Sequence, residues 1–342
     1  MESMIIEMKK TVDGKEIQAV IAKVESLGFE VQINNGKEHV VIAVLGSDTG
    51  DVDTQVFEAF SGVEQVLRIQ NPFKLASLDF KKDPTIVKVG GIEIGGNELV
   101  IMAGPCSVES EEQLLACAKI AKANGAKFLR GGAFKPRSSP FAFQGLGEDG
   151  LKILAKAREK TGLLVVTEVV SPEEVKLVAN YADILQIGAR NMQNYRLLEA
   201  VSKVKRPILL KRGLSATIEE WLMAADYILR GNGEPNVILC HRGIRTFDSS
   251  TRFTYDVGVI PVLKRLTHLP IISDPSHAAG KFYYVADFAK MAVAGGTDGL
   301  IMEIHPDPQN AISDGAQSLT FSDFSRTMKE IKNIAKAVGR KI

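Results

Sequence analysis

The first seventy residues alternate between the two spacings of apolar side chains that distinguish strands from helices. A helix is predicted where Ile17, Val20, Ile21, Val24 and Leu27 recur every three or four positions. Strand-like runs occupy residues 5–8, 29–33, 40–45 and 63–69, and a second short helix is predicted at residues 56–60. The tight-turn sequence Asn34-Asn35-Gly36 joins the second and third runs. The order βαββαβ predicts a ferredoxin-like sandwich.

From residue 99 onward, apolar runs of strand length alternate with helical segments. Eight residues open the strand candidates: Leu99, Phe128, Leu163, Ile184, Ile208, Val237, Ile271 and Gly299. Eight strands separated by helices predict a (β/α)₈ TIM barrel, with residues 321–338 as its final helix. Two short runs before it, residues 86–89 and 92–94, are split by Gly90-Gly91 and predict a hairpin that closes one end of the barrel.

The two patterns divide the chain into a small unit and a large one. A TIM barrel takes about 250 residues, so 342 residues leave room for one barrel and one small module. The polar stretch that ends in Asp83-Pro84 is typical of a connection. We therefore expect a ferredoxin-like domain at residues 1–73, a linker at 74–84 and the barrel at 85–342.

Composition excludes several classes of function. Lys and Arg number 42 against 41 Asp and Glu, so no overall field favours nucleic acid or an anionic membrane. The small unit also lacks a basic stripe, and no segment approaches the ~20 consecutive apolar residues of a membrane span. Three cysteines without paired spacing, and a start without the layout of a secretory signal, favour a reducing cytoplasm.

Four side chains able to bind a divalent cation follow separate apolar runs or lie in the loop after the last of them. They are Cys106, His277, Glu303 and Asp314. The carboxyl ends of barrel strands converge on one face, so ligands remote in sequence can meet at one ion there. A thiolate, an imidazole and two carboxylates suit Mn, Fe, Co or Zn better than calcium or magnesium. Glu303 carries most weight, because a carboxylate within an apolar strand costs several kcal/mol unless it is paired or metal-bound.

Basic residues follow the same predicted strands. Arg130, Lys135 and Arg137 lie close together with Gly131-Gly132 and the hydroxyl of Ser138. Further cations lie at other strand ends: Arg190, Lys211, Arg212, Arg242 and Arg245. Arg binds phosphate and carboxylate oxygens in pairs, so this enrichment indicates substrates that carry several negative charges. For Arg212 and Arg245 an equally good explanation is a neighbouring salt bridge.

Together these motifs resemble the synthases of 3-deoxy-D-arabino-heptulosonate 7-phosphate, the enzymes that open the shikimate pathway of aromatic amino acid biosynthesis. The resemblance runs from about residue 85 to the end of the chain. Its motifs fall in the family's order: Gly104-Pro105-Cys106-Ser107, Lys135-Pro136-Arg137-Ser138, Gly188-Ala189-Arg190, Leu210-Lys211-Arg212-Gly213, Cys240-His241-Arg242-Gly243, Asp274-Pro275-Ser276-His277, Glu303-Ile304-His305 and Ser313-Asp314-Gly315.

The resemblance implies an aldol-type condensation of phosphoenolpyruvate with erythrose 4-phosphate and water, which releases phosphate. The metal on the four candidate ligands would polarise the aldehyde oxygen. Lys135, Cys106 and His277 are the implied catalytic residues, and either Lys135 or a metal-bound water transfers the proton. The implied substrate-binding residues are Arg130, Lys135, Arg190, Lys211 and Arg242 for phosphoenolpyruvate, Arg137 and Ser138 for the aldose phosphate, and Pro136, Gly188 and Ala189 beside them.

Two alternatives stay open at this point. The related synthases of 3-deoxy-D-manno-octulosonate 8-phosphate share the fold but usually have alanine and asparagine between the lysine and the arginine, so Pro136 favours the four-carbon aldose. Ser138 replaces the more usual threonine and keeps its hydroxyl. The second alternative is a non-catalytic protein that binds aromatic amino acids.

The amino-terminal unit resembles the ferredoxin-like regulatory domain of one branch of these synthases. The resemblance implies feedback inhibition by an aromatic amino acid, tyrosine or phenylalanine, bound between such domains of neighbouring subunits in a homotetramer. The strands around Asn34-Asn35-Gly36 argue against the other common attachment, an almost entirely helical chorismate mutase.

Overall fold

The computed structural model describes residues 3–35, 39–46, 49, 52–69, 71–136, 139, 141–232 and 236–342. Within these ranges a small antiparallel sheet near the amino terminus is followed by a closed parallel barrel of eight strands. The predicted fold class, a TIM barrel preceded by a ferredoxin-like unit, is confirmed.

The small unit follows the predicted βαββαβ order. Its elements are β1 (Ser3–Met8), α1 (Gly14–Ser26), β2 (Glu30–Asn35), β3 (Val40–Leu45), α2 (Gln55–Glu58) and β4 (Val63–Ile69). The strands pair in the order β2-β3-β1-β4, and α1 begins at a capping box between Asp13 and Glu16. Ile6, Val20 and Phe57 are fully buried between the sheet and the helices. Gly36 of the predicted turn lies outside the described residues.

The barrel strands begin at, or one residue after, the positions that the apolar pattern predicts. They are β7 (Val100–Gly104), β8 (Phe128–Arg130), β9 (Leu164–Glu168), β10 (Ile184–Ile187), β11 (Ile208–Lys211), β12 (Val237–His241), β13 (Ile271–Ser273) and β14 (Gly299–Glu303). The one-residue differences, at Leu99 and Leu163, fall at strand ends, where pairing is least regular. Because β14 pairs with β7 in parallel, the sheet closes.

Helices surround the barrel and complete the α/β alternation. They are α3 (Glu111–Ala123), α4 (Glu148–Thr161), α5 (Val175–Tyr181), α6 (Tyr195–Val201), α7 (Ile218–Asn232), α8 (Val259–Leu266), α9 (Pro275–Ala279), α10 (Phe282–Ala294) and α11 (Phe321–Ala337). The last matches the predicted final helix, and Val338 caps its end. In the described part of the chain, no helix has the length and apolar character needed to cross a membrane.

Alternate residues of the barrel strands face the axis and form an apolar interior. Met102, Phe128 and Ile301 belong to this interior and are buried. The predicted hairpin is present as β5 (Val87–Val89) and β6 (Ile92–Ile94), and its Val87 and Ile94 pack into the same cluster. The hairpin therefore closes the amino-terminal end of the barrel, which leaves the carboxyl end open for a site.

The segment between the two units packs against the barrel. Phe73 and Leu75 are buried in the barrel's outer core. The carboxylate of Asp226 on α7 accepts hydrogen bonds from the backbone N–H groups of Lys74 and Ala76, at 2.6 and 2.8 Å. Burial raises the pKa of Asp226 to about 7, despite these two donors. The domain boundaries stay a prediction, but the segment expected to be a linker is anchored along this helix.

The small unit also touches α7 directly. Arg230 forms an exposed ion pair with Glu30 at 2.8 Å, and the amide of Gln32 donates to the carbonyl of Leu229 at 3.5 Å. A cavity of about 530 Å³ lies between the two units, with Phe29 on one wall and Tyr227 on the other. Helix α7 is thus the part of the barrel that these polar contacts with the amino-terminal unit involve.

Candidate functional site

The four candidate ligands come together at the carboxyl end of the barrel. Cys106 follows β7, His277 lies on the short helix α9 just after β13, Glu303 ends β14, and Asp314 lies in the loop after β14. Parallel strands bring their carboxyl ends to one face, which is why residues so far apart in sequence are neighbours here.

Three of the four donor atoms lie close enough together to share a single cation, and His277 lies beside this group. Cys106 Sγ lies 3.3 Å from Asp314 Oδ2, and one donor atom from each of Cys106, Glu303 and Asp314 falls within 4.8 Å of the other two. His277 Nε2 is 3.6 Å from Glu303 Oε1 and 4.0 Å from Asp314 Oδ2. Ligands that each bind one ion at about 2.0 to 2.3 Å must lie within about 4.6 Å of each other, so the spacing is close to what a metal requires.

Electrostatics gives an independent reason for a cation. Burial, with the nearby Glu303 carboxylate, raises the pKa of the Cys106 thiol to about 11. Burial also opposes charge on Glu303, but His277 and Arg130 hold its pKa below the ordinary value. Two acidic side chains and a thiol thus crowd a space with little water. A bound divalent cation would relieve this repulsion and favour the thiolate.

Asp274 holds His277 in position from behind. It is buried, its Oδ2 lies 2.8 Å from His277 Nδ1, and the same oxygen accepts from Lys211 Nζ at 2.5 Å. Burial opposes its charge, yet His277 and Lys211 hold its pKa well below the usual range. Because Asp274 Oδ2 lies beside Nδ1, Nε2 is the ring nitrogen that faces the acidic ligands. Burial lowers the pKa of His277, which favours the neutral imidazole that a metal ligand must be.

Two basic side chains tie the ligand cluster to the neighbouring pocket. The guanidinium of Arg130 donates to Glu303 Oε1 at 2.9 Å and to the carbonyl of Pro105 at 2.8 Å. Lys135 Nζ donates to both Sγ and the carbonyl oxygen of Cys106, at 3.0 Å each. Lys135 therefore lies between the candidate ligands and the space where a substrate would bind.

That space is a pocket of about 510 Å³ with strongly basic walls. Among the described residues, seven basic side chains and two carboxylates line it: Arg130, Lys135, Arg190, Lys211, Arg242, Arg245 and Arg252 against Glu168 and Asp314. Burial lowers the pKa of Arg242 to about 10, and its guanidinium lies 3.6 Å from the centre of the Phe253 ring. Arg130, Lys211 and Arg252 are paired with carboxylates. Arg190, Arg242 and Arg245 add positive charge beyond these pairs, and this excess suits a small and highly charged anion.

The sequence-predicted substrate residues fall into two groups. Pro136, Gly188 and Ala189 line the pocket together with the predicted cations. Arg137 and Ser138 lie outside the described residues. Arg212 faces the other side of the barrel wall, where it donates to the carbonyl of Ala216.

Several residues of the site were missed by sequence reasoning. Asp274 lies within a recognised motif, but nothing local distinguishes its carboxylate from a helix cap, which it also is. Glu168 ends β9 and could have been found as a carboxylate at a strand end. Arg252 lies on a loop and Gln317 ends a three-residue 3-10 helix, and segments this short show no apolar periodicity that would identify them.

The loop that carries Asp314 is strained and braced. Asp314 has φ 51° and ψ 32°, and it has the only positive φ of any non-glycine residue in the described ranges. Such a conformation costs of order 1 kcal/mol or more and persists only where the surroundings impose it. Glu109 supplies part of the brace, because its carboxylate accepts from the backbone N–H of Ile312 at 3.0 Å and lies 3.3 Å from His305 Nε2.

Comparisons with known proteins agree with both parts of the architecture. Residues 77–339 match the DAHP synthetase I family, and residues 4–71 match the DAHP synthase ferredoxin-like domain. The phospho-2-dehydro-3-deoxyheptonate aldolase of Thermotoga maritima is 44% identical over 339 residues, which cover 99% of this chain and 100% of the relative. Its crystal structure covers 100% of this chain and 99% of its own, with a TM-score of 0.79.

Two further similarities concern the barrel. A truncated form of the 3-deoxy-D-arabino-heptulosonate 7-phosphate synthase of Thermotoga maritima, 44% identical, covers 79% of this chain and 98% of its own, with a TM-score of 0.74. The 2-dehydro-3-deoxyphosphooctonate aldolase of a Geobacter species is 31% identical over 274 residues, 74% of this chain and 98% of the relative.

Replacing the buried Asp274 should destabilise the protein strongly. In Asp274→Asn the Lys211 ammonium and the His277 ring lose the carboxylate that both contact. We expect the free energy of unfolding in urea at pH 7 to fall by about 3 to 5 kcal/mol, as for other buried pairs that lose one partner. Asp287→Asn is the matched control, because this aspartate pairs with Lys290 on the surface of α10 and should change stability by less than about 0.5 kcal/mol. Equal effects of the two substitutions would contradict the role given to Asp274.

Proposed function

The chain belongs to the DAHP synthetase I family and is a DAHP synthase, and from this premise we propose its substrates, its metal dependence and its regulation. In the proposed reaction, phosphoenolpyruvate and erythrose 4-phosphate condense with water to give 3-deoxy-D-arabino-heptulosonate 7-phosphate and phosphate. The methylene carbon of phosphoenolpyruvate forms the new bond to the aldehyde carbon. A water oxygen adds to the carbon that bears the ester oxygen, and phosphate leaves from that carbon.

One observation carries the proposal: a strongly basic pocket adjoins a cluster of metal-binding side chains. Phosphoenolpyruvate carries a phosphate and a carboxylate on three carbons, a charge density that needs several cations close together. Lys211 and Arg242 are nearly buried in the pocket wall, and Arg190 lines the same pocket. Such prearranged charges bind an anion without reorganising as it reacts.

The donor set fits a divalent cation held by Cys106, His277, Glu303 and Asp314. Mn, Fe, Co and Zn all bind such mixed thiolate, imidazole and carboxylate ligands. When bound, the cation would supply Lewis-acid polarisation of a carbonyl oxygen. The protein's part is to hold His277 by Asp274 and to hold Glu303 by Arg130, so that the ligands are oriented before a cation binds.

Lys135 is the proposed proton-transfer residue. Its ammonium contacts Cys106 and lines the pocket, so it is within reach of both the ligand cluster and a bound substrate. General acid–base groups must lie at hydrogen-bond distance from the atom they serve. Cys106 and His277 complete the catalytic set as ligands.

The four-carbon aldose is proposed from the Lys135-Pro136-Arg137 sequence, with Arg137 and Ser138 receiving its phosphate end. The octulosonate activity stays as the second candidate, because relatives with that name match about three quarters of this chain. Those alignments cover 72 to 74% of this chain, whereas the heptonate aldolase match covers 99% and includes the amino-terminal unit.

Feedback inhibition by tyrosine or phenylalanine is the proposed role of the ferredoxin-like unit. Residues 4–71 match a domain named for its occurrence in DAHP synthases, and this unit contacts the barrel through α7. The effector is proposed to bind between such domains of neighbouring subunits in a homotetramer. A cytoplasmic location remains a prediction from the sequence.

Phosphate release should require erythrose 4-phosphate and a divalent metal. With phosphoenolpyruvate present, we expect turnover with erythrose 4-phosphate at least tenfold faster than with arabinose 5-phosphate. Treatment with a strong chelator should abolish turnover, and added Mn²⁺ or Co²⁺ should restore it. Faster turnover with the five-carbon sugar would favour the octulosonate alternative. No turnover with either sugar would favour a non-catalytic protein, and full activity after chelation would exclude the metal.

Removing the Lys135 ammonium should slow the reaction itself. For Lys135→Met at saturating substrates we expect kcat to fall by about 100-fold or more, the usual contribution of a general acid or base. Lys152→Met is a suitable control, since Lys152 is exposed on α4 and is not among the described residues that line the pocket. If Lys135→Met kept most of its turnover, the proton-transfer role would have to be given up.

Removing the amino-terminal unit should remove inhibition and leave catalysis. A chain that lacks residues 1 to 76 should still form the barrel, because a truncated form of a similar synthase has a solved structure. We expect its activity with saturating substrates to persist and its response to tyrosine and phenylalanine to disappear. The full chain assayed with leucine provides the specificity control. Unchanged inhibition of the truncated protein would refute the proposed regulatory role.

A further inference from the structure

We propose that Gln317 and Arg252 act as positioning residues that hold Glu303 and Asp314 in the geometry needed for a cation. This inference rests on the proposed function, because it takes the two carboxylates to be metal ligands. It extends that function to two residues that neither line up with a sequence motif nor belong to the candidate ligand set.

Four side chains form one continuous hydrogen-bonded chain. The amide nitrogen of Gln317 donates to Glu303 Oε2 at 2.6 Å, and its amide oxygen accepts from Arg252 Nη1 at 2.6 Å. The same Arg252 nitrogen lies 3.4 Å from Asp314 Oδ1. Gln317 is 2% exposed, so its amide is shielded from water. These hydrogen bonds connect the carboxylate of Glu303 to that of Asp314. The Gln317 amide and the Arg252 guanidinium lie between them.

The two groups on either side of the Gln317 amide fix the direction of its hydrogen bonds. A guanidinium only donates hydrogen bonds and an ionised carboxylate only accepts them. The Gln317 amide must therefore turn its oxygen to Arg252 and its nitrogen to Glu303, so its orientation is not arbitrary. Glu303 is then held at both oxygens, with Arg130 on Oε1 and Gln317 on Oε2. Each oxygen keeps a second lone pair, so the carboxylate can still bind a cation while it cannot rotate.

The backbone around Arg252 is anchored to the helix that carries His277. The N–H of Arg252 donates to the carbonyl of Ala279 at 3.3 Å, and that of Phe253 donates to Ala278 at 3.0 Å. Gly280 ends this helix with φ 69°, and a Cβ there would lie 2.4 Å from the Cβ of Arg252. The hydrogen-bonded series of side chains therefore connects α9, β14 and the strained Asp314 loop. These are three of the four elements that supply candidate ligands.

Arg252 and Gln317 differ in their exposure to substrate. Arg252 lines the basic pocket with 37% of its side chain exposed, whereas Gln317 is absent from the pocket lining. Removing the Gln317 amide should thus change only the orientation of the candidate metal ligands and leave phosphoenolpyruvate binding intact. That separation distinguishes positioning from substrate contact.

The test is Co²⁺ affinity of the purified full-length protein, measured by competition with a chromophoric chelator. Gln317→Met keeps the side-chain volume and removes both hydrogen bonds. We expect its Co²⁺ dissociation constant to rise by about 10- to 100-fold, the usual effect of losing a residue that orients a metal ligand. The KM for phosphoenolpyruvate, measured with saturating Co²⁺, should change less than about twofold. An unchanged Co²⁺ affinity would overturn the proposal.

A double-mutant cycle tests whether the two residues act together. Arg252→Met should also weaken Co²⁺ binding, and the partly exposed position makes this variant the safer one to fold. If both substitutions interrupt the same series of hydrogen bonds, the double variant should lose less Co²⁺ affinity than the product of the two single losses. If the loss of Co²⁺ affinity in the double variant equals the product of the two single losses, the two residues act independently, and this would contradict the shared series of hydrogen bonds.

A matched control separates positioning from general destabilisation. Thr161 at the end of α4 is also buried, and its hydroxyl donates to the carbonyl of Ala157 on the same helix. Thr161→Val keeps the side-chain shape and should leave Co²⁺ affinity within about twofold of the unchanged protein. An equal loss in this control would assign the effect to core damage and overturn the proposal.

The same titrations distinguish this inference from the metal site on which it rests. The unchanged protein should show thiolate-to-cobalt charge-transfer absorption, which Cys106→Ser should remove. Absence of that absorption in the unchanged protein would overturn the proposed metal site and this inference with it. If the absorption is present and Gln317→Met binds Co²⁺ as tightly, only the positioning role fails.

Discussion

The organisation of this protein depends on the pairing of charges buried at the carboxyl end of the barrel. Asp274 lies between Lys211 and His277, and Glu303 lies against Arg130, all within a region with little access to solvent. An isolated charge there would cost several kcal/mol, so each group is tolerated because its partner is in place. These pairs stabilise the site only as a set, and they fix which atoms remain available for a cation and a substrate.

This polar end contrasts with the apolar interior beneath it. The hairpin residues Val87 and Ile94 fill the amino-terminal end, and side chains such as Phe128 fill the middle. Because the lower barrel is packed and dry, strand ends are held rigidly, and the side chains beyond them can be arranged to within small tolerances. Basic side chains outnumber acidic ones among the described residues that line the pocket, and in the proposed reaction an anionic substrate would balance this excess charge.

The amino-terminal unit is attached to the outside of this rigid barrel. Asp226 holds the connecting segment, and Glu30 and Gln32 make polar contacts with α7. Ile5, Val41 and Ala43 of the small sheet are buried in the same apolar cluster as Phe73 and Leu75. The unit is therefore held by a buried apolar contact as well as by exposed polar ones, and a ligand that moved it would need a preference between the two arrangements large enough to offset the loss of that contact.

Much of this architecture follows from the sequence alone, because strands, helices and turns leave periodic local signals. Those signals predicted the βαββαβ unit, the closing hairpin and the first residue of each barrel strand to within one position, and the strand ends indicated the ligand and cation candidates. Other features depend on contacts between remote elements. The adjacent Lys211 and Arg212 look equivalent in sequence, yet alternation along the strand sends one into the barrel and the other outside. The Gln317 and Arg252 chain was likewise decided only by the tertiary structure, since hydrogen bonds between loops remote in sequence have no period that a sequence can display.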